Sequence, residues 1–432
     1  MKNTSLAVIL ISAGLCAATS ARAQAAHTGV PAAPTDATRP PPSPPAAQDE
    51  ENVFRFYGTF NPRLVVSSGA VESFSQPNAS AISAAGNPVF SNAPDQARYT
   101  LQVAQSRVGF WLNEKGLVRA QLELDFIDFA KASPTVASLP RVRIARVDYA
   151  LHPNHLVSLG QDWDLHAPIN PHGINMVGSL FLAGNTAFMR QQLKYIYSTP
   201  DLEWAAAVGF PSANVTAKDA AFELGLMPTL AARGTYKWGK SRVGLSALAT
   251  RLPFNLGTPD ERFRPAWSTA LFSELAPTVD TNIRLELNLG QNGANLGMLT
   301  LAQGRATEDV REFGGFISAR QTLSSHHAVY GMAGYQRVLE PAKVVPSYGY
   351  ASPGTPEAPP AFSTATLSGT GPGILHNGTA RLGYEFRPHR KLAFVLEGFL
   401  FQTRFRLQEV DVARVEAKRT TVGLETGALL TF

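Results

Sequence analysis

Residues 117–128 read Leu-Val-Arg-Ala-Gln-Leu-Glu-Leu-Asp-Phe-Ile-Asp. Val118, Ala120, Leu122, Leu124 and Phe126 fall on one face of an extended chain, and Arg119, Gln121, Glu123 and Asp125 on the other. Because successive side chains of a strand point to opposite faces, this stretch reads as a strand between an apolar medium and a polar one. Thr281 to Gly290 repeats it, with Ile283, Leu285, Leu287 and Leu289 opposite Arg284, Glu286 and Asn288. Val422 to Phe432 closes the chain with Val422, Leu424, Ala428, Leu430 and Phe432 on one side. Sixteen segments of this kind are expected, at 53–66, 99–112, 117–128, 141–151, 155–162, 189–197, 202–210, 228–238, 241–249, 266–275, 281–290, 311–321, 327–337, 377–386, 391–402 and 420–432. Two of them, 266–275 and 327–337, alternate poorly.

The gaps between segments alternate in length. Short ones include Asn113-Glu114-Lys115-Gly116, His152-Pro153-Asn154, Gly239-Lys240 and Arg387-Pro388-His389-Arg390. Long ones are 67–98, 129–140, 163–188, 211–227, 250–265, 291–310, 338–376 and 403–419. A soluble sandwich has no reason to alternate in this way, whereas a membrane barrel has short turns at one rim and long loops at the other. A strand with one face in hydrocarbon must satisfy its backbone hydrogen bonds laterally, and only a closed sheet does so for every strand. The expected fold is a 16-stranded antiparallel transmembrane β-barrel over residues 53–432, with short periplasmic turns and long external loops. A hidden pair in one loop would raise the count to eighteen. Sixteen strands leave a water-filled lumen. Trp111, Phe126, Tyr197, Phe210, Trp238 and Phe386 lie near strand ends, where girdles of aromatic residues face the membrane interfaces.

Composition agrees. The 432 residues are only 16% charged and include 35 glycines and 31 prolines. No apolar run reaches the ~20 residues of a membrane helix. The one cysteine, Cys16, excludes a disulfide scaffold and a Cys-ligated metal site. Residues 1–23 read as a signal peptide: Lys2, the apolar stretch Leu6 to Leu15, and the cleavage pattern Ala21-Arg22-Ala23. Residues 24–52 are proline-rich and read as a disordered periplasmic spacer.

A known family shares several of these motifs. Ser106 to Phe110 (SRVGF), Gln121 to Phe126 (QLELDF), Arg141 to Tyr149 (RVRIARVDY), Gly160 to Trp163 (GQDW) and the terminal Phe432 resemble the trimeric bacterial outer-membrane porins, and within them the DcaP-like group. That group carries a coiled coil where this chain is proline-rich. The resemblance implies a homotrimer, a third external loop folded into the barrel to narrow the pore, and Phe432 as the assembly signal. Here that loop is 163–188, with an apolar centre of Met176, Val177, Leu180, Phe181 and Leu182.

The expected pore-lining and constriction residues are Arg107, Arg119, Glu123, Asp125, Arg143, Arg146, Asp162, Asp164, His166, His172, Arg190, Lys194 and Arg284. Arg143 and Arg146 have opposite phase, so both face inward only across a bulge. Lys and Arg number 38 against 33 Asp and Glu, and rings of inward cations favour anions. Inward acids such as Glu286, Glu385 and Glu425 are expected to pair with arginines.

No Gly-x-Ser-x-Gly, His-Glu-x-x-His or Walker-type phosphate loop is present, so no catalytic residue and no cofactor is expected. His326 and His327 are adjacent and so point to opposite faces of a strand, which argues against a metal site, and Asp162-Trp163-Asp164 reads as solvated loop acids, with calcium at the pore mouth as the alternative. The cations are spread over strand faces, not gathered in a nucleic-acid patch. The expected function is passive diffusion of small hydrophilic solutes through the bacterial outer membrane, with modest anion preference and contact with outer-membrane lipid. The alternatives are a channel specific for small organic anions and a non-transporting adhesion or structural barrel.

Overall fold

The computed structural model describes residues 53–68, 97–126, 140–175, 179–180, 183–186, 189–210, 227–254, 259, 262–293, 308–343, 349–352, 361–363, 374–405 and 418–432. The expected signal peptide, the proline-rich stretch and Met176, Val177, Phe181 and Leu182 lie outside them.

The strands are β1 (Phe54–Phe60), β2 (Arg63–Ser67), β3 (Arg98–Gln102), β4 (Arg107–Leu112), β5 (Val118–Asp125), β6 (Arg141–His152), β7 (His155–Trp163), β8 (Met189–Ser198), β9 (Leu202–Gly209) and β10 (Thr229–Trp238). There follow β11 (Ser241–Phe254), β12 (Arg262–Leu275), β13 (Thr281–Gln291), β14 (Arg311–Thr322), β15 (His327–Val338), β16 (Gly349–Ser352), β17 (Ala361–Ser363), β18 (Ile374–His389), β19 (Leu392–Phe405) and β20 (Lys418–Thr431). β1 and β2 together make one stave, and β3 and β4 the next. All the barrel strands pair antiparallel with their neighbours, and β20 returns to β1 and β2 through Phe60↔Leu430 and Arg63↔Gly427. The result is a closed barrel of sixteen staves with no free edge.

The outward face is apolar to a degree that water would not tolerate: Phe56 is 72% exposed and Leu382 71%. Trp204, Leu245, Leu271, Leu287 and Ile317 continue the belt. A continuous apolar band of this extent fits hydrocarbon. Tyr197, Trp238 and Phe386 face outward near the periplasmic rim, and Phe210 outward at the other. Trp111 does not. It pairs with Gln121 across β4 and β5, on the inward face, and the Arg146 guanidinium stands 5.2 Å from its ring.

Several segments differ from expectation at their ends. The last short turn is Arg390-Lys391, because His389 and Leu392 are already paired. The loop 338–376 does hold a hidden pair, β16 and β17, but the two form their own small sheet and leave the barrel at sixteen. The first hairpin breaks in the middle, at Asn61-Pro62 opposite Val103 to Ser106. Proline has no N–H to give the ladder, so the break sits where pairing was already lost.

The two poorly alternating segments have a physical cause. On β12, β14 and β15 the inward face carries Phe272, Phe316, Tyr330 and Met332, all buried. Both faces of these strands are apolar because one meets lipid and the other meets the loop 163–188.

Candidate functional site

The loop leaves β7 after Trp163 and runs inside the barrel along its wall. The Arg233 guanidinium on β10 donates to the Leu165 carbonyl at 3.2 Å, Arg242 on β11 to Pro168 at 3.4 Å, and Arg284 on β13 to Asn170 at 2.9 Å. His166 is buried, its ring nitrogens 3.0 Å from Ser246 Oγ and 2.8 Å from Ser268 Oγ. His172 Nε2 donates to Asn282 at 2.9 Å, and Ser318 lies 2.7 Å from its Nδ1. The far tip then reaches the break in the first hairpin. There the Asn61 amide donates to the Ile174 carbonyl at 3.2 Å, and Gln105 to Asn175 at 2.8 Å. The lost ladder bonds of that hairpin are thus the place where the loop tip docks.

On the return, Leu180 joins Ile169 and Ile174 against Phe272, Phe316, Tyr330, Met332 and Val395. Burying each of these three aliphatic side chains is worth about 1.5–3 kcal/mol. Gly184, at φ 101°, lies so near Gly315 that a Cβ would sit 2.0 Å from the Gly315 carbonyl oxygen. Beyond it the Thr186 N–H and hydroxyl donate to Glu286 at 2.9 and 2.6 Å, with the Asn185 amide at 3.3 Å. Glu286, expected to pair with an arginine, instead receives the loop; among the described residues it has no ion pair. A buried carboxyl group that collects several donors anchors the loop, since each satisfied bond contributes about 1 kcal/mol and a donor or acceptor left without its partner would cost about 1–3 kcal/mol.

Two groups on the loop titrate away from their usual range. Burial pulls His166 down to about 4 against the help of Asp164, and it pulls His172 down to about 4 with the Arg284 and Arg320 charges pushing the same way. Both are neutral at pH 7.

The remaining candidates lie on β4 to β8. Arg119 pairs with Asp148 at 3.2 Å, Arg146 with Asp148 at 3.6 Å and with Asp162, and Lys194 also with Asp162. Arg190 holds Asp164 at 2.5 Å, at the root of the loop. Asp162 and Asp164 therefore face cations, which accounts for them without a metal. Arg143 and Arg146 do both turn inward: Glu123 pairs with Ile144 and Leu124 with Val142, so Arg143 is the extra residue of a bulge. Arg143 reaches Glu123 and stands 5.0 Å from the Trp163 ring, and Arg141 holds Asp125 at 2.6 Å. Arg107 lies at the start of β4, opposite Asp125. Phe432 packs at the seam, its ring 5.4 Å from Phe60 and its backbone bonded to Gly58. Of the metal candidates, His327 bonds to Tyr384 and His326 lies 2.9 Å from the Arg387 carbonyl. Among the described residues no group of three potential ligands gathers.

In three of the wall clusters one acid is held by two cations. Glu274 on β12 sits directly between Arg242 on β11 and Arg284 on β13, each 3.0 Å away. Glu385 is shared by Arg320 at 3.1 Å and Arg387 at 2.8 Å. Glu203 is shared by Arg233 and Lys237. Exposures decide what solute meets: Arg119 is 30% exposed over Asp148 at 2%, Arg141 34% over Asp125 at 0%, and Arg242 36% over Glu274 at 18%. At these three pairs water in the lumen touches guanidinium more than carboxylate. Ser246, Ser268, Ser318 and Asn61 were missed by sequence reasoning; inward phase marks them polar, but only the loop's path gives them a role.

The barrel matches solved structures over nearly its whole length. The outer membrane channel DcaP of Acinetobacter baumannii superposes at TM-score 0.63 and 12% identity, covering 89% of this chain and 99% of that one. The anion-selective porin from Comamonas acidovorans superposes at TM-score 0.57 and 12% identity, over 88% and 100%. The chain has the porin fold. No protein-family model matches it, and no curated protein sequence matches it. At this identity the likeness speaks for architecture, and the lumen chemistry is argued from this chain's own residues.

Proposed function

We propose that the protein is a passive, non-enzymatic channel of the bacterial outer membrane, passing small hydrophilic solutes with a modest preference for anions. The observation that carries this reading is the layering of charge. At Arg119–Asp148, Arg141–Asp125 and Arg242–Glu274 the carboxylate is less exposed than its guanidinium, so at these points the surface that a permeant ion meets is cationic. Low-dielectric walls focus that field along the axis. The infolded loop sets the narrowest section, and of the expected lining residues Arg119, Arg146 and Arg284 keep surface towards the water of the lumen, whereas Glu123, Asp125, Arg143, Asp162, Asp164, His166, His172, Arg190 and Lys194 are buried in the contacts that fasten wall and loop. Three copies associate as a trimer, with residues 1–23 removed on export, 24–52 as a periplasmic spacer and Phe432 as the assembly signal.

The test is current through purified protein in a planar bilayer, followed by reversal potential in a KCl gradient. Conductance in steps of three with chloride favoured is the expected result. A potassium-favouring potential overturns the charge reading and leaves the channel. No conductance from folded barrel overturns the channel itself. Flux that saturates for one organic anion would move the reading to a specific channel.

A further inference from the structure

The outward face carries a second arrangement, unrelated to the lumen. Arg337 on β15 is paired directly with His376 on β18, His376 with Arg404 on β19, and Arg404 with the position of Lys418 on β20. Arg337 and Arg404 are exposed, and the His376 ring lies 5.6 Å from outward-facing Tyr335. Neighbouring strands are about 4.8 Å apart, so this is one row of basic residues across four adjacent staves. Arg337 and Arg404 stand across one intervening stave, about 10 Å apart, and two guanidiniums so placed repel unless something neutralises them. The outward residues of β15, β18 and β19 include no acid among the described residues, and neither Arg337 nor Arg404 has an ion pair there.

Height gives the row its meaning. Outward-facing His327, packed on Phe386 near the short turns, marks one edge of the apolar band. Arg337 lies ten residues further along the same strand, a climb of about 25 Å for a strand tilted by roughly 40°. That is the height of the hydrocarbon belt. The row therefore stands at the opposite interface, one step beyond Tyr335, on the side of the long loops. Lys and Arg at such a height meet lipid headgroups, and each contributes about 1 kcal/mol of attraction to an anionic one.

We propose that the Arg337–His376–Arg404 row is a binding site for a phosphate-bearing lipid headgroup of the outer leaflet. The headgroup supplies the anions that the described residues of this sheet face lack. Arg337 and Arg404, two staves apart, would each take a phosphate oxygen, with the acyl chains lying down the apolar strip formed by Leu382, Leu396 and Leu400.

The experiment is native mass spectrometry of the folded, detergent-solubilised protein. It is titrated with bisphosphorylated lipid A, with the same lipid after phosphatase treatment, and with inorganic phosphate. Retention of the bisphosphorylated lipid about tenfold above the dephosphorylated one is expected. The double variant Arg337→Gln/Arg404→Gln should lose that difference, while Arg337→Lys/Arg404→Lys keeps most of it. Heat-modifiable gel mobility and unchanged single-channel conductance establish that each variant is folded. Equal retention of both lipid forms by the unaltered protein overturns the proposal without recourse to any variant. Displacement of lipid by inorganic phosphate at equal concentration also overturns it, as a free-anion site. So does a double variant that binds lipid normally but falls from oligomer to monomer, since the row would then be a protein contact.

Discussion

His166 and His172 are held inside the lumen as neutral rings, each bonded to wall side chains through both nitrogens. Their values of about 4 lie below the ordinary 6.5. For a base whose pKa falls on docking, the released loop binds more protons than the docked loop between those two values. Docking is then fully favoured above pH 6.5 and weakens as pH falls towards 4, by up to about 1.4 kcal/mol per pH unit for each ring. Single-channel records should show growing current noise from pH 6.5 to 4, and the His166→Asn/His172→Asn variant should flatten that rise. Noise with the same pH profile in both proteins would assign it to other groups. A second residue-scale expectation concerns Arg381. Glu397 and Glu425 are directly opposed across β19 and β20, and Arg381 bonds to both while Arg63 takes Glu425. Arg381→Met should cost about 3–5 kcal/mol, because it leaves two facing buried carboxylates with half their cations. Lowered temperature of conversion to the unfolded gel band is the measure.

At the scale of the element, the loop 163–188 is a strap fastened at both ends and in the middle. Its outgoing limb is tied by Arg233, Arg242 and Arg284, its tip by Asn61 and Gln105, and its return by Glu286. Deleting residues 170–184 removes the tip and part of the return, so single-channel conductance should rise. Unchanged conductance would place the narrowest section elsewhere. Gly184→Val is a milder form of the same test: a side chain at φ 101° against the Gly315 backbone should loosen the return limb at a cost of about 1–3 kcal/mol. Limited proteolysis inside the loop should then speed up. Much of this was legible beforehand. Period-two alternation marked most of the staves because lipid and water impose opposite demands on the two faces. It faltered at 266–275 and 327–337 because Phe272, Tyr330 and Met332 meet neither water nor lipid but the loop. The Arg143/Arg146 phase conflict announced a bulge, yet its place depended on register with β5, which alternation alone does not fix. Glu286 looked like any inward acid. Its role belongs to Thr186, a hundred residues away in sequence, and long-range pairing leaves no local signal.

For the whole molecule, the sign of the lumen field depends on depth more than on the count of charges. A net charge of +5 over the chain says little about what an ion meets, whereas two exposed guanidiniums over one recessed carboxylate say a good deal. The Arg242–Glu274–Arg284 row separates the two views. Glu274→Gln removes the deeper charge and should make the channel more chloride-selective. Arg242→Gln/Arg284→Gln uncovers Glu274 and frees two loop carbonyls, so selectivity should fall while conductance changes with the loop. Reversal potentials in KCl gradients read the first effect, and conductance in symmetric salt reads the second. The depth argument also fixes the salt dependence. With a Debye length near 10 Å at 0.1 M, cations on the wall reach well into the lumen; near 3 Å at 1 M they do not. Chloride preference should therefore shrink steadily between those concentrations in the unaltered protein and in Glu274→Gln. A preference that stayed constant with salt would mean that selection occurs by direct contact at the constriction, and the layered wall would no longer explain it.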